Sequence, residues 1–212
     1  DIDIAAKVTH FGENTDLGLF VVREDSANQS YGGDFLSSRI QHKTGGLTLG
    51  HRLTYVERDL LQRDATVQQL DMLWQKNDQV QVRGQMLHSD IQQQGNNYND
   101  QQTVDSQDIA GWASWSYAPS DIWSQKLYAS YYGDQFDMND MGYMKRNGYT
   151  ELFGRTRHDR LQYGDDSNLL SGFTVVEYGY TENTDGNKLS LWAEWQQNWI
   201  FKSTRSLYLE AG

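Results

Sequence analysis

The amino-acid sequence predicts an all-β protein: an antiparallel meander of about 12–13 strands that forms a transmembrane-type β-barrel, or part of one. Three observations support this fold class. Long runs alternate between apolar and polar residues, aromatic residues stand near the ends of these runs, and proline occurs once in 212 residues. Strands that span a bilayer need about 9–11 residues, whereas strands of soluble sheets average about 5–6. Most of the alternating runs fit the longer class.

The clearest hairpin lies in residues 109–132. Its turn is predicted at residues 118–121, around Pro119, where the chain needs no ladder hydrogen bond. On each arm, small, apolar or aromatic residues share one face: Ala113, Trp115 and Tyr117 on the first arm, and Leu127, Ala129 and Tyr131 on the second.

In the amino-terminal half, short turns alternate with longer polar connections, such as those predicted at 25–30 and 59–64. The glycine pair in turn 43–46 and the sequence Asn77-Asp78 are strong turn signals. The predicted strands cover residues 2–10, 16–24, 33–41, 46–58, 66–76 and 79–86.

The carboxy-terminal half contains longer connections. Residues 92–108 and the acidic stretch 133–140 are predicted to be surface loops. Asn147-Gly148 is a hairpin signal that would join strand 141–146 to strand 149–158. After a loop at 159–170, strands are predicted at 171–181 and 188–201. Residues 1–212 are interpreted as one β-barrel domain, a fragment of a longer chain, because the sequence starts without Met and ends inside a strand-like run.

Composition excludes several classes of protein. Hydrophobic residues make up 37% of the chain and no run approaches the ~20 apolar residues of a spanning helix. An aromatic content of 13% argues against a disordered chain. The net charge of −11 argues against a nucleic-acid partner, and the absence of cysteine excludes disulfides and thiolate metal sites.

Charged side chains on the strands predict which face is wet. An Arg that faces lipid at the bilayer midplane costs about 2–4 kcal/mol, so these charges should turn towards an aqueous lumen. The alternative is that they only neutralise one another inside a filled barrel. The lumen candidates are Arg52, Asp71, Arg83, Arg155, Arg157, Glu177 and Glu194. Their neighbours Leu49, Met72, Val82 and Leu191 would face lipid, and the aromatic girdle at the membrane interface would comprise Trp74, Trp115, Tyr117, Trp199 and Phe201.

The acidic stretch is a weak candidate for a metal site. Asp134, Asp137, Asn139 and Asp140 carry the oxygen ligands that Ca²⁺ prefers, but the stretch lacks the glycine and closing glutamate of an EF-hand loop. A solvated loop is therefore favoured. The five histidines have no metal-ligand spacing and no nucleophile motif accompanies them, so the sequence predicts neither a cofactor nor a catalytic set.

Two segments resemble the carboxy-terminal domain of the DUF5916 family. The first is Tyr31-Gly32-Gly33-Asp34-Phe35. The second is Asp137–Arg157, which contains Met141-Gly142-Tyr143-Met144-Lys145-Arg146-Asn147-Gly148-Tyr149. The resemblance implies an outer-membrane β-barrel, often preceded by a family 9 carbohydrate-binding-like module. It implies no catalytic residues.

These observations predict a module of the Gram-negative bacterial outer membrane that acts as a pore, in transport or as a surface anchor. Its partner would be membrane lipid, with carbohydrate or a small solute as candidate ligands. Two alternatives remain open. One is a glycan-binding or hydrolytic surface protein on an all-β scaffold, and the other is a soluble all-β domain whose apolar faces point inward.

Overall fold

The computed structural model describes residues 2–25, 32–93, 104–139, 144 and 146–212. Throughout these ranges the chain is an antiparallel meander without an α-helix, which confirms the all-β prediction; one short 3₁₀ turn covers Asp59–Leu61. The strands are β1 (Ile2–Phe11), β2 (Thr15–Glu24), β3 (Gly33–Thr44), β4 (Leu47–Arg58), β5 (Arg63–Asn77), β6 (Val80–Gln93), β7 (Val104–Ser120), β8 (Trp123–Tyr132), β9 (Tyr149–Arg160), β10 (Leu169–Asn183), β11 (Lys188–Phe201) and β12 (Ser206–Ala211).

The twelve strands form one sheet in sequence order, from β1 to β12. Each strand is hydrogen-bonded to its neighbours in the sequence, and β1 and β12 are the two ends of this order. Over the described ranges the sheet is therefore not closed. In those same ranges no helix is long and apolar enough to cross a membrane.

Several predicted strands are confirmed. The bounds of β11 agree with the prediction, and β4 differs from it by one residue. The predicted turn after β5 is also present: the side-chain oxygen of Asn77 accepts hydrogen bonds from the backbone N–H groups of Gln79 and Val80, at 3.1 and 3.0 Å. Asparagine favours such turns because its side chain can replace a backbone acceptor.

The prediction for the Pro119 turn was wrong by a few residues. Strand β7 continues to Ser120, and the turn comprises residues 121–122. Pairing persists up to the proline because the Ala118 N–H donates to the Gln79 carbonyl at 2.8 Å. Pro119 lacks a donor but keeps an acceptor, and its carbonyl accepts a hydrogen bond from the Gln79 side-chain amide at 3.1 Å.

The predicted loop at 92–108 was too long at both ends. Strand β6 continues to Gln93 and β7 begins at Val104, while residues 94–103 lie outside the described ranges. The predicted loop at 159–170 was likewise too long, because β9 ends at Arg160 and β10 begins at Leu169.

Asn147-Gly148 is not a hairpin turn. Gly148 adopts a φ of +67°, as the sequence signal requires, but its N–H donates to the carbonyl of Gly133 and the Asn147 side chain donates to the carbonyl of Asp134. The dipeptide therefore closes a loop between β8 and β9. Of the strand predicted at 141–146, Met144 and Arg146 lie outside any strand, and the other residues lie outside the described ranges.

The chain divides into two compact units. Unit 1 comprises Asp1–Leu73, Gly84–Gly111 and Tyr131–Gly148, and unit 2 comprises Trp74–Arg83, Trp112–Ser130 and Tyr149–Gly212. The core lies mainly in unit 1, and its buried hydrophobic residues are Val56, Ala65, Val67, Ile91, Ala110 and Phe136. In unit 2 the described chain buries one large hydrophobic side chain to this degree, Val175.

A close approach in unit 2 explains one glycine and gives a first prediction. Gly154 lies opposite Tyr178, and a Cβ atom at Gly154 would stand 2.2 Å from the tyrosine ring. We expect Gly154→Ala to lower the free energy of unfolding by about 1 kcal/mol, the lower end for overpacking, since the half-exposed ring can move aside. Urea unfolding measures the change.

Two comparisons test that explanation. Gly18→Ala, on β2, should have little effect because a Cβ atom there meets nothing within 4 Å. In a Tyr178→Ala background the ring is absent, so Gly154→Ala should not lower the free energy of unfolding through this contact. An equal cost in both backgrounds would show that the tyrosine ring is not the cause.

Candidate functional site

Around Glu177 the two faces of the sheet in unit 2 differ in character, although the charged face also carries the exposed Trp192. Because successive side chains of a strand point to opposite faces, the direct pairs Arg155–Glu177 and Glu177–Glu194 place all three charges on one face. We call this the polar face of unit 2. The other face of the same strands, the apolar face of unit 2, carries exposed hydrophobic side chains: Leu152, Val176, Tyr178, Leu191 and Trp195.

The centre of the polar face is a row of three charged residues across β9, β10 and β11. The Nε atom of Arg155 lies 3.2 Å from an oxygen of Glu177. Glu177 also lies opposite Glu194, and the side-chain amide of Gln196 donates a hydrogen bond to that second carboxylate. The row therefore contains one guanidinium, at its β9 end, followed by two carboxylates. The structure brings together three of the predicted lumen residues here.

Arg157 forms a second charged cluster on this face. Its guanidinium donates to both oxygens of Asp159, at 2.8 and 2.7 Å, and lies 4.4 Å from the centre of the Phe173 ring. A bidentate ion pair with an aromatic contact fixes the orientation of an arginine. Asp159 and Phe173 were not predicted as site residues. Strand alternation could have found them, because Asp159 lies two positions from Arg157 and Phe173 lies two positions from Val175 on the same face.

Arg155 and Arg157 also line a cavity of about 400 Å³. The residues that surround it lie at the ends of β5 and β7 and at the starts of β6 and β8, and they include Lys126. Lys126 was not singled out in the sequence. Its position on the polar side of the alternating run in β8 is the signal that could have found it.

Arg83, another predicted lumen residue, is exposed on β6. In the part of the chain that the structure describes, it forms no ion pair.

In unit 1, Asp71 pairs with a residue that sequence reasoning missed. Its carboxylate lies 3.0 Å from Arg39 on β3, and it also accepts a hydrogen bond from Gln69. Arg52 lies directly opposite Arg39 but is exposed and forms no ion pair with any described residue. Gly50 makes room for this cluster, since a Cβ atom there would lie 2.6 Å from both Asp71 oxygens.

Within unit 1, the loop between β8 and β9 is anchored by Phe136. This side chain is fully buried (0% exposed), with the Tyr132 ring edge-on at 6.0 Å. Next to it, Asp137 forms an ion pair with Arg63 at 3.1 Å, and its N–H donates to the hydroxyl of the buried Ser89 at 3.3 Å. The sequence marked this stretch as an acidic surface loop and missed its anchoring role.

The same contacts bear on the weak calcium candidate. Asp137 interacts with Arg63, and the Asn139 side-chain amide donates to the other Asp137 oxygen at 2.7 Å. Asp134 lies nearby on the loop, and Asp140 is outside the described ranges. In those ranges no group of three or more histidine or acidic residues could hold a metal ion.

The five predicted girdle residues all belong to unit 2. They lie near the turns at 78–79, 121–122 and 202–205: Trp74, Trp115, Tyr117, Trp199 and Phe201. Trp115 and Tyr117 stack with their ring centres 5.7 Å apart. Alternate connections of an antiparallel meander lie at the same end of the strands, so these three turns share one end of unit 2. We call it the turn end, and the aromatic residues mark it.

A protein-family model matches the larger part of this chain. No curated protein matches this chain. Residues 53–211 match the model of a family described as a domain of unknown function, DUF5916. The match includes the second segment on which the resemblance rests and begins after the first, Tyr31-Gly32-Gly33-Asp34-Phe35. With about three quarters of its length matched, from β4 to β12, the chain belongs to the DUF5916 family.

Proposed function

We propose that this chain is a β-barrel module of the bacterial outer membrane, which acts as a pore, in transport or as a surface anchor. The observation that carries the proposal is the contrast between the two faces of the strands. Hydrophobic side chains on one face are exposed, as with Leu191 at 67% and Val176 at 42%, while the opposite face holds ion pairs such as Arg155–Glu177.

Exposure of the apolar face of unit 2 to water is unfavourable. On β10, Val176 lies opposite Trp195 of β11, and Tyr178 lies opposite Gly154 of β9. The exposed apolar residues are therefore neighbours across several strands. Monomeric soluble proteins rarely expose apolar patches larger than a few hundred Å². A soluble all-β domain would bury this face, whereas in a membrane lipid would cover it.

The proposal also explains the charge clusters on the polar face. Charged residues in a membrane barrel are tolerated where they face the lumen, because water or a partner of opposite charge can solvate them there. The proposal requires a partner for the exposed edges of β1 and β12, since an unpaired strand edge does not persist in lipid. Closure of the sheet into a barrel would provide that partner.

Detergent-dependent folding tests the proposal. We expect the 212-residue chain to fold only in detergent or lipid. Its mobility on a gel should then differ between heated and unheated samples, as for folded membrane barrels. Single-channel conductance in planar bilayers would then separate a pore from an anchor. A monodisperse, folded β protein in plain buffer would rule out the membrane assignment.

A further inference from the structure

Twelve of the 13 residues that line the cavity at the turn end of unit 2 have side chains that can form hydrogen bonds. Six of its residues have no side-chain hydrogen bond or ion pair with any described residue, and they are Gln75, Gln81, Ser116, Ser124, Gln125 and Lys126. Amides and hydroxyls both donate and accept hydrogen bonds. The cavity therefore offers many unused polar groups within one space.

The charge that faces the cavity is positive. Lys126 has no carboxylate partner in the described chain, and Arg155 and Arg157 are the other two cations of the lining. Asp78, on the turn after β5, is the one acidic residue among the described lining residues. The lining thus holds three cations and one anion.

The carboxylates that pair with the two arginines are less exposed than the arginines themselves. The side chain of Arg155 is 42% exposed and that of Glu177 is 19% exposed, and the values for Arg157 and Asp159 are 34% and 25%. Arg155 uses its Nε atom for its ion pair, which leaves its terminal nitrogens available to an anion. The acidic partners orient the arginines without occupying the cavity.

The size of the cavity limits the ligand. About 400 Å³ is near the lower end of the range for small-molecule sites, which is roughly 300–1,000 Å³. A ligand of one or two sugar units would occupy that volume, and its hydroxyl groups would match the amides and serines. An anionic group on the ligand would form charge-assisted hydrogen bonds, which are about twice as strong as neutral ones.

We infer that this cavity binds a small acidic sugar, with Lys126 and Arg155 contacting its carboxylate or phosphate and the surrounding glutamines and serines contacting its hydroxyls. Arg157, fixed by Asp159 and Phe173, forms the wall beside the anionic group. The biological role of this site, binding a solute that passes through the barrel, rests on the proposed function. The binding itself does not depend on membrane insertion.

Isothermal titration calorimetry on the folded chain, in whichever of detergent or buffer it folds, tests the inference. The probes are glucuronate, glucose 6-phosphate, glucose and acetate. Glucuronate and glucose 6-phosphate should bind about tenfold more tightly than glucose, as expected for a hydrogen bond to a charged group, and acetate should bind more weakly than glucuronate. The difference from glucose should shrink as salt is added.

Three variants identify the site. Lys126→Gln should weaken glucuronate binding about tenfold, and Lys126→Arg should retain most of it. Lys188→Gln is the matched control, because Lys188 is also an exposed lysine of unit 2 but does not line the cavity. Circular dichroism checks that each variant is folded.

The possible outcomes separate this inference from the proposed function. Glucose binding as tightly as glucuronate, or unchanged glucuronate binding in Lys126→Gln, would overturn the inference even if the chain folds only in detergent. Selective binding of glucuronate by a chain that folds in plain buffer would support the inference and refute the membrane assignment.

Discussion

Phe136→Ala is expected to lower the free energy of unfolding by about 3–5 kcal/mol, the usual cost of removing a buried phenylalanine. Phe136 is fully buried in unit 1 although it belongs to a loop of acidic and polar residues. The smaller side chain would leave a cavity beside Tyr132. Urea unfolding of the folded protein, followed by tryptophan fluorescence, measures the loss.

Phe11→Ala is the matched control for this substitution. Phe11 ends β1 and is 79% exposed, so its truncation should change stability by roughly 0.5 kcal/mol or less. The two variants lose the same atoms from opposite environments. Equal effects would mean that Phe136 does not anchor the loop.

Phe136→Ala should also change the behaviour of the loop itself. Without the buried ring, the Asp137–Arg63 ion pair and the Asp137–Ser89 hydrogen bond hold this part of the loop on the sheet. Partly exposed ion pairs contribute little, typically about 0–1 kcal/mol. Limited proteolysis should therefore cleave within residues 133–148 faster in the variant than in the parent. Unchanged cleavage would indicate that the polar contacts suffice.

Val176→Arg should destabilise the protein by about 2–4 kcal/mol if the apolar face of unit 2 contacts lipid. Val176 lies near the middle of β10, opposite Trp195 and Thr156, and is 42% exposed. In water the same arginine would be solvated and would cost little. The measurement is the urea midpoint of the protein folded in lipid vesicles.

Gln196→Arg provides the control on the other face. Gln196 lies next to Trp195 on β11, but its side chain is on the polar face, where its amide contacts Glu194. An arginine there would meet a carboxylate, so the change in stability should be small. Equal tolerance of the two arginines would favour an aqueous environment on both faces and contradict the membrane proposal.

The strands could be predicted from the sequence because the pleat of a β-strand imposes a period of two residues. The run from Lys188 to Phe201 alternates so regularly that its bounds were predicted correctly. Arg155, Glu177 and Glu194 were predicted to face the lumen because a charge that faces lipid is costly, and the three lie on one face of the sheet. These are properties of the local chain, and they do not depend on which strands are neighbours.

Partners across the sheet depend on register, which alternation leaves undetermined. Asp71 and Arg52 were both predicted to face the lumen, yet Asp71 pairs with Arg39. Both arginines are on the correct face, and the stagger between strands decides which one reaches the carboxylate. The serine, arginine and glutamine at 37, 39 and 41 already showed that Arg39 belongs to the polar side of β3.

The loops could be predicted least well because their structure depends on distant residues. Phe136 is buried through packing on a strand surface, and its neighbour Asp137 contacts Ser89 and Arg63, which lie 48 and 74 positions away in the sequence. Gly148 has the positive φ of its turn signal, but Asn147 does not, and the dipeptide closes a loop instead of a hairpin. A dipeptide specifies a bend, and the surrounding fold decides what the bend connects.

The sequential order of the twelve strands has a consequence for how the protein is made. Every strand can find its neighbour within one connection, so the sheet has low contact order and can grow as a row of hairpins. The turn at Asn77 gives one such hairpin a local start. Each added hairpin would cover the edge left by the previous one, so the chain would expose few unpaired strand edges to aggregation while it assembles.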